Sequence, residues 1–256
     1  MTAIQSVILG IVEGITEFLP ISSTGHLILT SKLFGNADDS FTKSFEIAIQ
    51  FGAILSVVVL YFKKVFSNKD LWKKVLVAFI PTAILGFVFY KLLKEVLLQS
   101  SIIVLWSLFV GGAALIIFEL WYKKQDNANH TEEISYKKSF LIGVAQSLAI
   151  IPGVSRAGAT IVGGLLMKIK REAIVEFSFL LAVPTMAAAT GYDLLKSADA
   201  FSFDQFYLLA IGFVVSFLVA IIAIKWLLGF IKNHTFISFG VYRIALALIF
   251  WFLVIK

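Results

Sequence analysis

Six stretches of the chain are apolar almost throughout: 44–62, 74–90, 101–122, 173–190, 206–228 and 236–255. Each comes near the about 20 residues that a helix needs to cross a hydrocarbon core about 30 Å thick. Two further apolar stretches are interrupted. Ile4 to Leu19 makes roughly 24 Å of helix, is stopped by Pro20, and resumes at Leu27–Leu33 after a polar Ser-Ser-Thr-Gly-His. Residues 141–167 are broken in the middle by Pro152, Gly153, Ser155 and Arg156. Too short or too polar for a simple crossing, both read as re-entrant helical hairpins.

The two hairpins resemble each other. An offset of 133 carries Gly10 onto Gly143, Glu13 onto Gln146, Ser22 onto Ser155, Ser23 onto Arg156 and Gly25 onto Gly158. Pro20 meets Pro152 at an offset of 132. Each hairpin is followed by three crossings, and an odd number per copy turns the second copy over. The expected fold is therefore an all-α, polytopic integral membrane protein, built as an inverted repeat of a re-entrant hairpin plus three transmembrane helices. It has six full crossings and two hairpins in a single membrane domain over residues 1–256. Repeat 1 covers about 1–125 with its hairpin at 4–33, and repeat 2 about 135–256 with its hairpin at 139–167.

Composition agrees. Of 256 residues 59% are hydrophobic and 15% charged, against roughly 25% charged in soluble domains. Tyr61, Trp72, Tyr90, Trp121 and Tyr122 stand near the ends of apolar runs, where an interfacial aromatic belt belongs. The net charge of +6 is then a topological signal, and no nucleic-acid partner is expected. Loops 63–74, 123–138, 168–172 and 229–235 carry thirteen Lys and Arg, while Lys43, Lys91, Lys94, Lys196 and Lys256 stand on the other side. The positive-inside rule makes the first set cytoplasmic and puts both termini outside. The first hairpin enters from outside, the second from the cytoplasm, and their tips meet near the midplane. There is no cysteine, so thiolate and disulfide chemistry is excluded. The N-terminus has neither a basic region nor a cleavage site of the signal-peptide kind.

An ionised group at membrane depth costs at least about 2.5–3.5 kcal/mol and is a functional hypothesis by default. Glu13 and Glu17, four apart, stack on one helical face. Two adjacent carboxylates call for a shared cation, and hard oxygen ligands suit Mg²⁺ or Ca²⁺; the alternative is one protonated Glu hydrogen-bonded to a neighbouring helix. After Pro20, Ser22, Ser23 and Thr24 offer three hydroxyls where an N-cap needs one, and Gly25 and His26 follow. Several donors at a helix N-terminus make an anion site. Ser155 and Arg156 repeat the arrangement, with Thr160 one turn on, and a guanidinium between two such helix ends describes a phosphate pocket. Glu46, Gln50 and Glu176 either line the same cavity or cap and snorkel. Glu119, beside Trp121 and Tyr122, reads as interfacial, and His130 and His234 as solvated.

EGITEFLPISSTGH (13–26) and PGVSRAGAT (152–160) resemble the two signature motifs of the bacitracin-resistance type of undecaprenyl-pyrophosphate phosphatase. FEIAIQFGAI after the first and FSFLLAVPTM after the second extend the resemblance over essentially the whole chain. Ala157 stands where that family often has a further hydroxyl. The resemblance implies a bacterial plasma-membrane enzyme, its site open to the outer face, that regenerates the undecaprenyl phosphate carrier and confers bacitracin resistance. The expected partners are the membrane and a polyprenyl pyrophosphate, and a homodimer is admitted. The mechanistic expectation gives Ser23 the attack on the terminal phosphorus, with His26 or Glu17 taking its proton. Direct attack by His26 or by a metal-bound water remains open. Glu13 and Glu17 hold the metal, and Arg156 stabilises the transition state, helped by Ser22, Ser155, Thr160 and the Thr24–Gly25 backbone. Lipid phosphatases of the acid-phosphatase type need a second histidine after their arginine; none follows Arg156 before His234. The rival reading outside enzymology is a lipid or small-molecule transporter, because inverted repeats with broken helices also suit alternating access.

Overall fold

The computed structural model describes residues 1–37, 39–89, 97, 100–123, 130–196 and 205–254. Lys91, Lys94, Lys124 and Lys256, used above for topology, lie outside the described residues. Among the described residues the chain forms eleven α-helices and no strand beyond one isolated bridge, Thr131 to Ile169. They are α1 (Ala3–Thr16), α2 (Ser23–Leu33), α3 (Ser40–Leu60), α4 (Phe62–Ser67), α5 (Lys69–Val88), α6 (Ser101–Lys123), α7 (Tyr136–Gln146), α8 (Arg156–Leu166), α9 (Arg171–Lys196), α10 (Phe206–Phe230) and α11 (Ile237–Val254). A short 3-10 turn, Ser147–Ile150, extends α7. Five helices (α3, α5, α6, α9 and α10) are long and apolar enough to cross a membrane. The run at 236–255 becomes α11, 18 residues long.

The two broken stretches fold as helix–turn–helix hairpins. Thr2 starts α1 with a capping box shared with Gln5, and the helix gives way at Glu17 to a turn through Pro20. Ser22 caps α2, its hydroxyl accepting from the Gly25 N–H at 3.3 Å. In the second hairpin Ser155 caps α8 in the same way, accepting from Gly158 at 3.1 Å. Both caps hold rare backbone conformations, φ 72° and ψ 94° at Ser22, φ 77° and ψ 112° at Ser155. For residues with a Cβ such positions cost roughly 1–3 kcal/mol and persist where the surroundings impose them.

Each hairpin is seated by its first leg. α1 packs along α10, and α7 packs along α5. The approach is close because glycines face the partner: a Cβ on Gly10 would sit 2.8 Å from the Gly212 carbonyl oxygen, and one on Gly143 only 2.0 Å from that of Ala78. Small residues permit such helix contacts in lipid, where packing takes over from the hydrophobic effect. α3 packs against both α9 and α10, and α6 against α11. The largest buried cluster gathers both turns, joining Phe18, Leu19 and Ile21 to Ala157, Ile161 and Phe179. Phe18 meets Phe179 edge-on, ring centroids 5.4 Å apart.

Glu119, read as a residue beside the interfacial aromatics, is 1% exposed, and it accepts two hydrogen bonds from the Arg171 guanidinium, at 2.5 and 3.0 Å, and one from the Phe236 N–H at 3.1 Å. A bidentate guanidinium partner satisfies the buried carboxylate and ties α6 to the start of α9. His130 is likewise partnered, its Nε2 lying 2.6 Å from the Tyr122 hydroxyl, whereas His234 is exposed.

Candidate active site

The turns of the two hairpins meet around Glu17. Its Oε2 accepts from the Ser23 hydroxyl at 2.5 Å, and its Oε1 accepts from Arg156 Nη2 at 2.8 Å. Ser23 and Glu17 belong to the first hairpin and Arg156 to the second, 139 residues away from Glu17. All three are largely buried, with Ser23 7% and Glu17 5% exposed. A carboxylate at hydrogen-bond distance from a hydroxyl is positioned to take its proton, and the neighbouring guanidinium is the planar, permanently charged donor suited to phosphate oxygens.

Arg156 is held from behind. Its Nη1 donates to the Ser178 carbonyl on α9 at 2.7 Å, and its guanidinium lies 5.8 Å from the Phe18 ring centroid. Thr160 is fully buried and lies 2.6 Å from the Ser178 hydroxyl; its own hydroxyl is shared between the Arg156 and Ala157 carbonyls. Thr160 thus braces Arg156 through Ser178 and presents nothing to a ligand. Ser22 and Ser155 accept the capping N–H groups, and each keeps its own O–H as a donor. The Gly25 N–H is taken by the Ser22 hydroxyl, and Thr24 is half-buried on the first turn of α2. Gln50 is half-buried one turn along α3 from Glu46; neither Thr24 nor Gln50 hydrogen-bonds Glu17 or Arg156.

Glu13 lies one turn before Glu17, wholly buried; no protein donor reaches either of its oxygens, and the carboxyl of Glu17 lies at hydrogen-bonding reach beside it. It feels the charges of Glu17, Glu46 and Arg156. Glu46 itself accepts from the Ser31 hydroxyl. Glu176 stands apart, paired with Lys64 at 2.5 Å. Two adjacent buried carboxyls are accommodated either by a proton shared between them or by a hard cation held between their oxygens. Among the described residues no three His, Cys, Asp or Glu side chains gather at one point.

His26 is 7% exposed. Its Nδ1 lies 2.7 Å from the Ser22 carbonyl and its Nε2 2.8 Å from the Tyr242 hydroxyl, so both ring nitrogens are engaged without Ser23.

Two residues of the site escaped the sequence reading. Ser178 is one. The other is Arg243 on α11, 2% exposed, whose guanidinium donates to the carbonyls of Pro20 (3.3 Å), Gly153 (2.8 Å), Val154 (3.0 Å), Ser107 (3.0 Å) and Leu108 (3.4 Å). Pro20 belongs to one hairpin turn, Gly153 and Val154 to the other, and Ser107 and Leu108 to α6. One buried cation therefore pins both turns to a membrane helix. A charged residue in an apolar run was the available signal.

Fold and site together define a polytopic helical membrane protein with a buried acid, hydroxyl and guanidinium at the junction of two helical hairpins. The family model described as bacitracin resistance protein BacA matches residues 6–249, and the chain belongs to that family. Among similar proteins, the undecaprenyl-diphosphatase of Sulfurihydrogenibium sp. is 55% identical over 252 residues, covering 98% of this chain and 99% of that one. Those of Persephonella marina and Aquifex aeolicus, both bearing the same name, are 53% and 51% identical, with 98% of each chain covered.

Proposed function

We propose that this chain is a membrane phosphatase that hydrolyses undecaprenyl pyrophosphate to undecaprenyl phosphate and inorganic phosphate, recycling the carrier lipid of cell-wall polymers. The carrying observation is the Ser23–Glu17–Arg156 chain of hydrogen bonds across the two hairpin turns, in a chain of this family. A lipid pyrophosphate also accounts for polar chemistry at membrane depth, since its tail stays in lipid while its head enters the site. Bacitracin resistance is consistent with the family.

Ser23 Oγ attacks the terminal phosphorus while Glu17 Oε2 receives the hydroxyl proton. The bond from that phosphorus to the bridging oxygen breaks, and undecaprenyl phosphate leaves with the electron pair. Water then attacks the phosphoserine phosphorus and the P–Oγ bond breaks; the proton held by Glu17 returns to Ser23 Oγ, and inorganic phosphate leaves with the water oxygen and its proton. Arg156 exchanges its Glu17 contact for equatorial phosphate oxygens as charge develops there. With both nitrogens of His26 occupied, Glu17 is the favoured base and Ser23 the favoured nucleophile.

Glu13 and Glu17 are the residues that would hold Mg²⁺ or Ca²⁺. The lack of any protein donor on the buried oxygens of Glu13, beside the Glu17 carboxyl, supports this. Bound there, a cation would neutralise phosphate charge and polarise the P–O bond.

The inverted repeat with six crossings is part of the same reading. Support comes from α2 and α8, both 11 residues long and starting 133 residues apart, each behind a strained serine cap. The crosswise seating of α1 on α10 and α7 on α5 supports it further. With the basic loops cytoplasmic, the repeats span about 1–125 and 135–256, and the site opens to the outer face of the bacterial plasma membrane.

The test is phosphate release from a C55 pyrophosphate by purified protein in detergent, where vectorial transport is absent. Turnover that requires a divalent cation and falls about 10³-fold or more in Arg156→Ala supports the reading. Native protein that binds the lipid without releasing phosphate would refute it and favour a transporter.

A further inference from the structure

Tyr242 lies on α11, outside both signature motifs, and meets His26 across 216 residues of sequence. Its hydroxyl is 2.8 Å from His26 Nε2, and the two rings are parallel within 3° with centroids 5.6 Å apart. On the opposite edge, His26 Nδ1 lies 2.7 Å from the Ser22 carbonyl. A carbonyl only accepts, so Nδ1 carries the proton, Nε2 of the neutral ring accepts, and the phenol donates.

The second hairpin supplies an internal comparison. Ser155 adopts nearly the backbone conformation of Ser22. At the position corresponding to His26 stands Ala159, whose N–H bonds the Ser155 carbonyl at 3.0 Å. That turn closes without an imidazole. The Tyr242–His26 pair is therefore an addition to the hairpin that carries Ser23, made on a Ser22 carbonyl that the His26 N–H already bonds at 3.2 Å, and closing the turn does not require it.

We propose that Tyr242 is a positioning residue for the phosphatase reaction. Its hydroxyl fixes His26 as the Nδ1–H tautomer, with Nε2 turned to the phenol, so that the imidazole anchors the Ser22 carbonyl next to Ser23 and the Ser23 proton passes to Glu17. The proposal rests on the reading of Ser23 as nucleophile. Tyr242 makes no bond to Glu17, Ser23 or Arg156, so its loss lowers kcat and leaves KM nearly unchanged.

The experiment combines spectroscopy with kinetics on the full chain. The protein has three histidines, and in a [¹⁵N]histidine-labelled sample the His26 resonances are those lost in His26→Gln. The native protein is expected to show a protonated Nδ1 and an unprotonated, hydrogen-bonded Nε2. Tyr242→Phe, which keeps the ring, moves the Nε2 resonance toward that of a free imidazole nitrogen. With it kcat falls about three- to tenfold, the loss of one neutral hydrogen bond, with KM within about twofold. In the His26→Gln background the same change costs nothing further, because the two residues act as one unit. An unchanged His26 spectrum in Tyr242→Phe overturns the proposal, and so do losses that multiply in the double variant. Were the native chain to release no phosphate, the phosphatase reading would fail, while the resonances would still decide whether Tyr242 sets the tautomer.

Discussion

Replacing Arg243 by Met removes a buried cation that bonds the carbonyls of both hairpin turns, and the structure sets the size of the effect. Three of its five bonds are short, 2.8 Å to Gly153 and 3.0 Å to Val154 and Ser107. Hydrogen bonds involving a charged group contribute about 1.5–3 kcal/mol each. Their sum is an upper bound, because the bonds share one guanidinium and because removing the charge also removes its desolvation cost. A net loss of about 3–5 kcal/mol remains, since buried carbonyls are left without donors. For a chain of this size that corresponds to a fall in Tm of roughly 10 °C, read by thermal unfolding in detergent. Because Pro20 and Gly153 flank the Glu17–Arg156 contact in sequence, turnover at a temperature where the variant is folded falls with it, by about 100-fold on the scale of a misplaced reacting group. Arg243→Lys, which keeps the charge but reaches fewer carbonyls, falls between the two. A Met variant with native Tm and native turnover would show that the turns hold themselves.

The remaining expectations are narrower. Ser23→Ala abolishes turnover by about 10³-fold or more while leaving substrate affinity near native, and near-native phosphate release would eliminate the serine scheme. Chelation of divalent cations stops turnover in the native protein, and Glu13→Gln raises the cation concentration for half-maximal activity at least about tenfold; an unshifted titration would remove Glu13 from the cation site. Gly143→Ala drives a methyl into the Ala78 carbonyl and costs about 1–3 kcal/mol, whereas Gly86→Ala, with nothing within 4 Å, is neutral or stabilising by up to about 1 kcal/mol; thermal unfolding of the pair checks the seating of α7 on α5. Glu119→Ala leaves Arg171 and the Phe236 N–H without their acceptor and lowers stability by about 3 kcal/mol, read as a lower Tm.

The elements that announce themselves in sequence are those where a local rule is broken. Pro20 and the hydroxyls after it interrupt an apolar run, and the turn with its Ser22 cap lies there; Pro152 and Ser155 do the same for the second hairpin. That Glu17 and Arg156 belong to one site was readable, because lone charges at membrane depth are costly; that they bond each other directly was not. What stayed hidden depends on partners distant in sequence. Glu119 sits beside two aromatics in sequence, and only the fold brings Arg171 to it. Arg243 bonds backbone carbonyls, which no side-chain pattern reveals. Thr160 looked like one more phosphate donor, yet its hydroxyl is consumed by two carbonyls and by Ser178. Tyr242 resembled the other aromatics of an apolar helix until its hydroxyl fell on His26.

Everything functional here depends on the two hairpin turns touching, and a disulfide measures that directly. The chain has no cysteine of its own. A Cβ built on Gly158 lies 3.6 Å from the Pro20 Cβ, within the roughly 3.5–4.5 Å that a disulfide spans. In the Pro20→Cys, Gly158→Cys double variant, mild oxidation in native membranes should close an intramolecular bridge, seen as protection of both thiols from alkylation and reversed by reductant. Both thiols staying fully alkylatable after oxidation of the folded protein would mean that the turns are apart, and a site shared by Glu17 and Arg156 could not exist.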